Sequence, residues 1–364
     1  KNIKTNTIAA TDDAGKINLE INGKTDVTVT CVGYTAKTFT IHEGHNTLSL
    51  IADNNTLQEV VVSANRTAQK RREAPVAIAT ISKQTIDDTK AQRIDNLLNK
   101  ISGVFMVNLG NEQHEMSIRQ PMTTKSLFLY MEDGIPIRTT GVYNHNALLE
   151  MNLPAAKSIE VIKGPSSALY GAEAIGGAVN VITQSAPAFT AGNVSVQLND
   201  KGYKRADAQI GTTLGKWGIL ASGYYANKAN GPIEHSDFHK SAITLRTDYR
   251  TGNKTTWTNT FSLIDYYSDM SGSIDSIKFA KRDYSSLQTF TYRAVKALRI
   301  KSMLTQQWNS KSATNVSLLF RNNSVKQNPS YSISSTSNPA KFKGQINENA
   351  FKTYALFVTH SQKL

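Results

Sequence analysis

The sequence predicts a mainly β protein in three parts: a small N-terminal β-sandwich, an α+β middle region, and the first part of a transmembrane antiparallel β-barrel. Three observations predict it. Short alternating segments punctuated by Gly and Asn turns fill residues 1–52. Helical and strand periods alternate through 73–187. From 188 to 364, alternating segments of about ten residues recur with turns between them, the pattern of barrel strands. No run of about 18 apolar residues exists, so a membrane crossing would fall to strands and not to a helix.

Composition narrows the function classes. Of 364 residues, 39% are hydrophobic and 19% charged, an ordinary folded balance. The net charge of +13 raises nucleic acid as a partner. The cations are scattered over strands and turns apart from Lys70-Arg71-Arg72, with no basic helix, so no nucleic-acid partner is expected. The charge reads as a solvated surface facing anionic lipid. Cys31 is the single cysteine, which rules out an intrachain disulfide; within Val27–Val32 it reads as a small buried hydrophobe.

In the N-terminal part, Asp12-Asp13-Ala14-Gly15 is a turn, and Ile17, Leu19 and Ile21 alternate after it. Asn22-Gly23 is a hairpin signal, because both residues tolerate positive φ. Val27, Val29 and Cys31, then Phe39 and Ile41, then Leu48 and Leu50 continue the strand pattern, with His42 and His45 on an exposed turn. A polar linker follows within 53–72. It holds Leu57-Gln58-Glu59-Val60-Val61-Val62-Ser63-Ala64, whose successive β-branched residues favour an extended backbone. Two readings fit the pattern: a last strand of the sandwich, or a tethered strand that a partner sheet edge can extend by β-augmentation.

In the middle region Ile78–Ile81 is a predicted strand, and Ser82 opens a helix. Ile94, Leu97, Leu98 and Ile101 lie at i, i+3, i+4 and i+7 on one helical face, ended by Ser102-Gly103. Val104–Val107, Met116–Arg119, Leu127–Met131 and Ile159–Ile162 are predicted strands. Asp133-Gly134 is a tight turn, and Ala155-Ala156 starts a helix. Beyond 188, one face carries Val194, Val196 and Leu198, then Ala206, Ala208 and Ile210, then Trp217, Ile219 and Ala221. The pattern continues through Ile243 and Leu245, Phe261 and Leu263, Val316, Leu318 and Phe320, and Tyr354, Leu356 and Val358, with Tyr224-Tyr225 at a strand end.

Three blocks of the middle region resemble the plug domain of TonB-dependent outer-membrane receptors. They are Leu97–Val107 with Ser102-Gly103-Val104; Ser117-Ile118-Arg119 followed by Leu127 to Asp133-Gly134-Ile135-Pro136; and Ile159-Glu160-Val161-Ile162-Lys163-Gly164-Pro165-Ser166-Ser167-Ala168-Leu169-Tyr170-Gly171 running into Ile175-Gly176-Gly177-Ala178-Val179-Asn180-Val181-Ile182-Thr183. Gln120-Pro121 departs from the glycine usual in the family after Ile-Arg. The segments Thr11–Lys16 and Val27–Tyr34 resemble the carboxypeptidase-regulatory-like domain, an Ig-like β-sandwich, found in Bacteroidetes-type receptors.

The resemblance implies a sandwich over 1–52, a linker with a TonB box over 53–72, a plug over 73–187, and barrel strands over 188–364. Leu57, Gln58, Glu59, Val60, Val61, Val62 and Ser63 become the TonB-binding residues. Arg119, Asp133, Gly134, Glu160, Gly164, Pro165, Tyr170, Gly171, Gly176 and Gly177 form the plug's structural motif, with Arg119, Glu132, Asp133 and Glu160 expected as buried charges at the plug–barrel boundary. The family barrel has about 22 strands, and about eight to ten fit in 189–364, so the sequence is expected to be part of a longer protein, trimmed at its N-terminus.

The implied function is TonB-dependent import of a scarce nutrient, such as a siderophore, haem or cobalamin, across a Gram-negative outer membrane. The N-terminal domain would be periplasmic. Implied partners are the TonB C-terminal domain, a small chelate or glycan ligand and outer-membrane lipid, with a surface lipoprotein as a further candidate. A SusC-like glycan importer with a lipoprotein lid and a non-transporting structural barrel subunit are the alternatives. Apical plug loops make Asn111, Gln113, His114, Tyr143, Asn144 and His145 the ligand-contact candidates. No catalytic residues, cofactor or metal site are expected: no nucleophile–base order, phosphate loop or zinc spacing occurs, and His235 and His239 fall in a Gly-Pro-containing loop-like stretch.

Overall fold

The structure is a computed structural model that describes residues 9–12, 15–31, 36–50, 60–61, 69–70, 74, 76–110, 112–125, 127–138, 146–171, 173–286, 290–328 and 346–362. It divides into two compact units, one of Lys1–Val60 with Lys70–Glu73, the other of Val61–Gln69 with Ala74–Leu364.

The described residues of the first unit hold one antiparallel hairpin, β1 (Thr25–Val29) with β2 (Lys37–Ile41), in which Val27 faces Phe39. Gly23 turns as expected, at φ +66°, but Ile17–Ile21 forms no strand before it. The turn is held instead by Glu43, whose Oε1 accepts from the Gly23 amide at 2.8 Å. Cys31 is exposed rather than buried, because β1 ends at Val29 and the chain leaves the sheet. His42 and His45 are exposed. Val60–Val61 (β3) and Gln69–Lys70 (β4) pair as a two-stranded ribbon.

The second unit begins with β5 (Ile78–Ser82). Ser82 caps α1 (Lys83–Thr89), its side chain accepting from the Thr85 amide at 3.2 Å and so satisfying one of the helix's free donors. The predicted apolar helix face becomes the short α2 (Asp95–Leu98), and Ile94, Leu97, Leu98 and Ile101 are all buried. A hairpin of β6 (Val104–Asn108) and β7 (His114–Ile118) follows, then β8 (Phe128–Glu132) and β9 (Ile135–Pro136). Asp133 and Gly134 join β8 to β9 with φ +50° and +76°, the paired positive values of a type I′ turn.

Ala155-Ala156 does not start a helix. Leu153–Ala155 is a single 3₁₀ turn, and the chain enters β10 (Ala156–Lys163), whose run of β-branched residues prefers extension over the helical signal of two alanines. After α3 (Ser167–Tyr170) comes β11 (Gly177–Thr183). The sheet order is β5-β10-β11-β8-β9, with β11 and β8 parallel and the other pairs antiparallel. β8 and β11 are buried at every position, so this sheet is enclosed on both faces.

An eight-stranded antiparallel meander completes the unit: β12 (Ala191–Leu198), β13 (Tyr203–Leu214), β14 (Trp217–Lys228), β15 (Phe238–Arg250), β16 (Thr255–Asp269), β17 (Tyr292–Asn309), β18 (Ser312–Asn328) and β19 (Asn347–Gln362), with α4 (Ser276–Ala280) between β16 and β17. Its outward face is apolar and exposed at Val194, Val196, Leu198, Ile210, Ile243, Leu318, Leu356 and Val358. Its inward face is polar and buried, as at Thr244, Thr258, Thr260 and Ser262. A water-facing sheet places these residues the other way round, and a lipid-facing barrel wall places them this way.

Aromatic residues mark both ends of the outward face. Trp217, Tyr249 and Trp257 are cross-strand neighbours at one end, and His239, Tyr267 and Tyr292 stack at the other. Trp257 and Tyr267 lie ten residues apart on β16. At about 3.3 Å per residue and a tilt of about 40°, that spans about 25 Å of height, the thickness of a barrel's apolar band. The turns at the tryptophan end are short, 215–216, 251–254 and 310–311, whereas connections such as 229–237 and 270–291 at the other end are longer.

Candidate functional site

The α+β region meets the inward face of the meander, and charges decide the junction. Glu150 lies in a 3₁₀ turn, Ala147–Glu150, and is fully buried. Its Oε1 accepts from Arg138 Nε at 2.5 Å, and its Oε2 accepts from Arg299 Nη1 at 3.0 Å and Asn323 Nδ2 at 2.7 Å. Arg299 also donates to the Glu150 carbonyl at 2.9 Å and lies 3.5 Å from Glu132 Oε2. Next to it Lys301 pairs with Asp133. Arg321 donates to the Pro136 carbonyl at 2.6 Å. Thus β17 and β18 supply cations, and the β8–β9 hairpin with the 3₁₀ turn supplies carboxylates. Removing one partner from such a buried pair leaves the other charge unsolvated.

Asp133 shows how the turn is tied in. Burial pushes its carboxyl up, but Lys301 and Arg246, with hydrogen bonds from Lys301 and the Thr183 amide, outweigh that and hold it below the usual carboxylate range. Its two oxygens accept from the Thr183 amide and hydroxyl, each at 2.8 Å. Arg246 in turn donates to the Thr183 hydroxyl at 2.7 Å, so one threonine joins β8, β11 and β15. Higher up, Glu112 pairs with Lys240 at 2.7 Å.

The expected motif residues fall into place unevenly. Asp133 and Glu132 lie at the junction, and Glu160 is buried in β10 between Thr80 and Asn180. Arg119 is not a buried charge. It is exposed, at φ +58°, with its amide donating to the Gly103 carbonyl at 3.0 Å, because the chain turns outward there. Gly177 has φ +152°, and a Cβ there would strike the Ile162 carbonyl across the sheet. At Gly176 a Cβ would lie 2.6 Å from Phe128 Cε1. Gly134 donates its amide to Asn180 Oδ1 at 2.9 Å. Gly164, exposed Pro165 and Gly171 flank α3, where Tyr170 is buried in the core.

Of the ligand-contact candidates, Asn111, Tyr143, Asn144 and His145 lie outside the described residues. Gln113 is half-buried and closes the β6–β7 turn through its backbone. His114 is not presented to solvent. It is buried, with Nε2 3.2 Å from the Tyr130 hydroxyl and its amide donating to Asn146 Oδ1 at 3.1 Å. Burial, then the charge of Glu173, pushes the Tyr130 hydroxyl up, so it stays protonated beside His114. In the expected TonB-binding segment, Leu57, Gln58, Glu59, Val62 and Ser63 lie outside the described residues, and Val60 and Val61 form β3. His235 and His239 do not converge: His235 bonds the Thr291 carbonyl and His239 stacks on Tyr267. No group of three or more metal-ligating side chains occurs among the described residues.

An enclosed α+β domain bound by ion pairs to the polar side of a lipid-facing sheet defines a class of architecture: part of an outer-membrane β-barrel wall with a domain plugging it. Residues 70–178 match the model of the TonB-dependent Receptor Plug Domain, so this segment is similar to the plug of such receptors. The chain is 31% identical over 164 residues to the vitamin B12 transporter BtuB of Vibrio vulnificus, covering 44% of this chain and 26% of that protein. It is 28% identical over 254 residues to the BtuB of Photobacterium profundum, covering 67% and 40%. The chain thus spans well under half the length of these curated relatives.

Among solved structures, it resembles the ferripyoverdine receptor of Pseudomonas aeruginosa bound to ferripyoverdine, with a TM-score of 0.68 and 16% identity over 85% of this chain and 42% of that one. It also resembles the unliganded ferric citrate transporter FecA, with a TM-score of 0.63 and 19% identity over 71% and 41%. At these identities the likeness is one of fold.

Proposed function

We propose that the chain serves energy-coupled import of a scarce nutrient chelate across a Gram-negative outer membrane. The observation that carries this reading is the plug domain held by buried ion pairs against the polar face of a lipid-facing sheet. The function needs that arrangement: a barrel wide enough for a chelate must be closed at rest, and closed by contacts that can be broken without unfolding the wall. On this reading 73–187 is the plug, 188–364 is barrel wall, and 1–52 is a carboxypeptidase-regulatory-like sandwich on the periplasmic side of a Bacteroidetes-type receptor. Siderophores, haem and cobalamin are the ligand classes that fit, and the names of the relatives support iron chelates and cobalamin.

Leu57–Ser63 is the segment that TonB pulls. The β3–β4 ribbon supports this, since Val60–Val61 already adopts the strand backbone that an added partner strand would pair with. TonB would then exchange with β4 for the same backbone groups. The test is binding of the purified TonB C-terminal domain to the receptor with and without Val61→Pro, which removes a backbone donor from the pairing strand. The proposal expects binding by the wild type and its loss in the variant. Failure of the wild type to bind, with candidate chelates present, would overturn it.

A further inference from the structure

Strands β15, β17 and β18 hold six buried or half-buried cations on the inward side, Lys240, Arg246, Arg293, Arg299, Lys301 and Arg321; among the described residues Asp248 is the one carboxylate on that side of β15–β18. Arg299 and Arg321 are direct cross-strand partners. Like charges in that position repel, and here both guanidinium groups are buried. The wall does not neutralise them; Glu150 of the plug does. Even so, Arg299 pairs with Glu132 and Glu150, while Arg321 is in an ion pair with no carboxylate among the described residues. Arg321 Nε is buried without a hydrogen-bond partner. A cavity of about 10 Å³ lies beside Arg299 and Lys301, lined also by Glu132 and Thr260, room for about one water.

We infer that Arg299, Arg321 and Lys301 form an oxyanion site on the barrel wall, filled by Glu150 and Asp133 while the plug is docked and by an anionic group of the ligand once the plug moves. The ligand class that follows is an anionic chelate carrying carboxylate or similar oxygens, for which paired guanidinium groups offer two-point contacts. This part of the inference rests on the import reading above. The exchange also gives the plug a way to leave: an incoming anion takes over the charge that would otherwise hold Glu150 back.

The test fills the site in the intact receptor without requiring transport. Glu150→Ala removes the internal carboxylate, and acetate is the probe. Sodium acetate is expected to raise the Tm of Glu150→Ala by about 2–4 °C over sodium chloride at equal ionic strength, with no such difference in the wild type. The double variant Glu150→Ala/Arg321→Gln should lose the acetate effect. Equal action of acetate and chloride on Glu150→Ala would overturn the site. If Glu150→Ala does not fold, Glu150→Gln keeps the side-chain shape without the charge and should unfold at a lower temperature than wild type; an unchanged Tm would overturn the site equally. An acetate effect together with failed TonB binding would overturn the ligand assignment and the import reading while leaving the oxyanion site in place.

Discussion

The plug touches two sides of its wall in different ways. Toward β15, β17 and β18 it is held by charge: Glu112 to Lys240, Asp133 to Lys301, and Glu132 and Glu150 to Arg299. Toward β12, β13 and β14 it is held by hydrogen bonds to carbonyls and amides. Gln197 donates to the Lys90 carbonyl at 3.1 Å, Arg205 to the Ala91 carbonyl at 3.0 Å, Gln209 to Gln184 Oε1 at 3.0 Å, and Asn152 to the Ser222 carbonyl at 3.2 Å. A cavity of about 50 Å³ opens on that side between α1 and the wall, lined by Lys83, Asp87, Lys90, Asn193, Gln197 and Asp207. Side-chain hydrogen bonds contribute about 0.5–1.5 kcal/mol each, whereas breaking one partner of a buried ion pair costs about 3–5 kcal/mol. The plug is therefore anchored on one side and lightly seated on the other, and a pull should open the lightly seated side first.

Substitutions on the anchored side should cost more than those on the lightly seated side. Arg299→Ala takes from Glu132 its ion-pair partner and from Glu150 its partner on the wall, leaving Glu150 with Arg138 and Asn323, and should weaken plug docking by about 3–5 kcal/mol, read from the urea midpoint of plug release in the detergent-solubilised receptor. Asp133→Asn keeps the shape of the turn but loses its charge, and should cost about 1.5–3 kcal/mol in the same measurement. Gly177→Ala should cost about 1–3 kcal/mol by strain within the plug, without changing the wall's own unfolding transition. Gln197→Ala, on the lightly seated side, should cost only about 0.5–1.5 kcal/mol. If Gln197→Ala matched Arg299→Ala, the asymmetry would be lost.

Acidification sharpens the same contrast. Asp133 has a lowered folded-state value, so its contribution is fully present above the ordinary carboxylate value of about 3.9 and is lost as pH falls through the lowered one. Plug docking should therefore hold between pH 7 and 5 as far as Asp133 is concerned, and weaken only under stronger acid. Urea titrations at a series of pH values should show that acid step reduced in Asp133→Asn.

What the sequence made legible was what depends on neighbours in the chain. Period-two alternation exposes Val194, Val196 and Leu198 on one face because strand geometry alone decides it. Asp133-Gly134 is a turn because two positive φ values restrict the residue types. The junction depends on residues far apart: Glu150 and Arg299 are separated by 149 positions, and nothing local to either announces the other. The burial of Glu132 and half-burial of Asp133, the β8–β9 carboxylates, follow from the motif they belong to, whereas Glu150, Arg299 and Lys301 belong to none. His114 misled because a polar residue in a short apical hairpin reads as exposed, while its burial comes from Tyr130 and Asn146, brought in from elsewhere in the chain.

Hydrogen exchange in the intact receptor tests the asymmetry most directly. A seven-residue capped helix should outlast a four-residue 3₁₀ turn if local stability ruled, so α1 would exchange more slowly than Ala147–Glu150. The ion-paired anchor reverses that order: the amides of Leu149 and Met151, beside Glu150, exchange more slowly than those of α1, and Arg299→Ala removes their advantage. Slower exchange in α1 in the wild type, or no effect of Arg299→Ala, would contradict it.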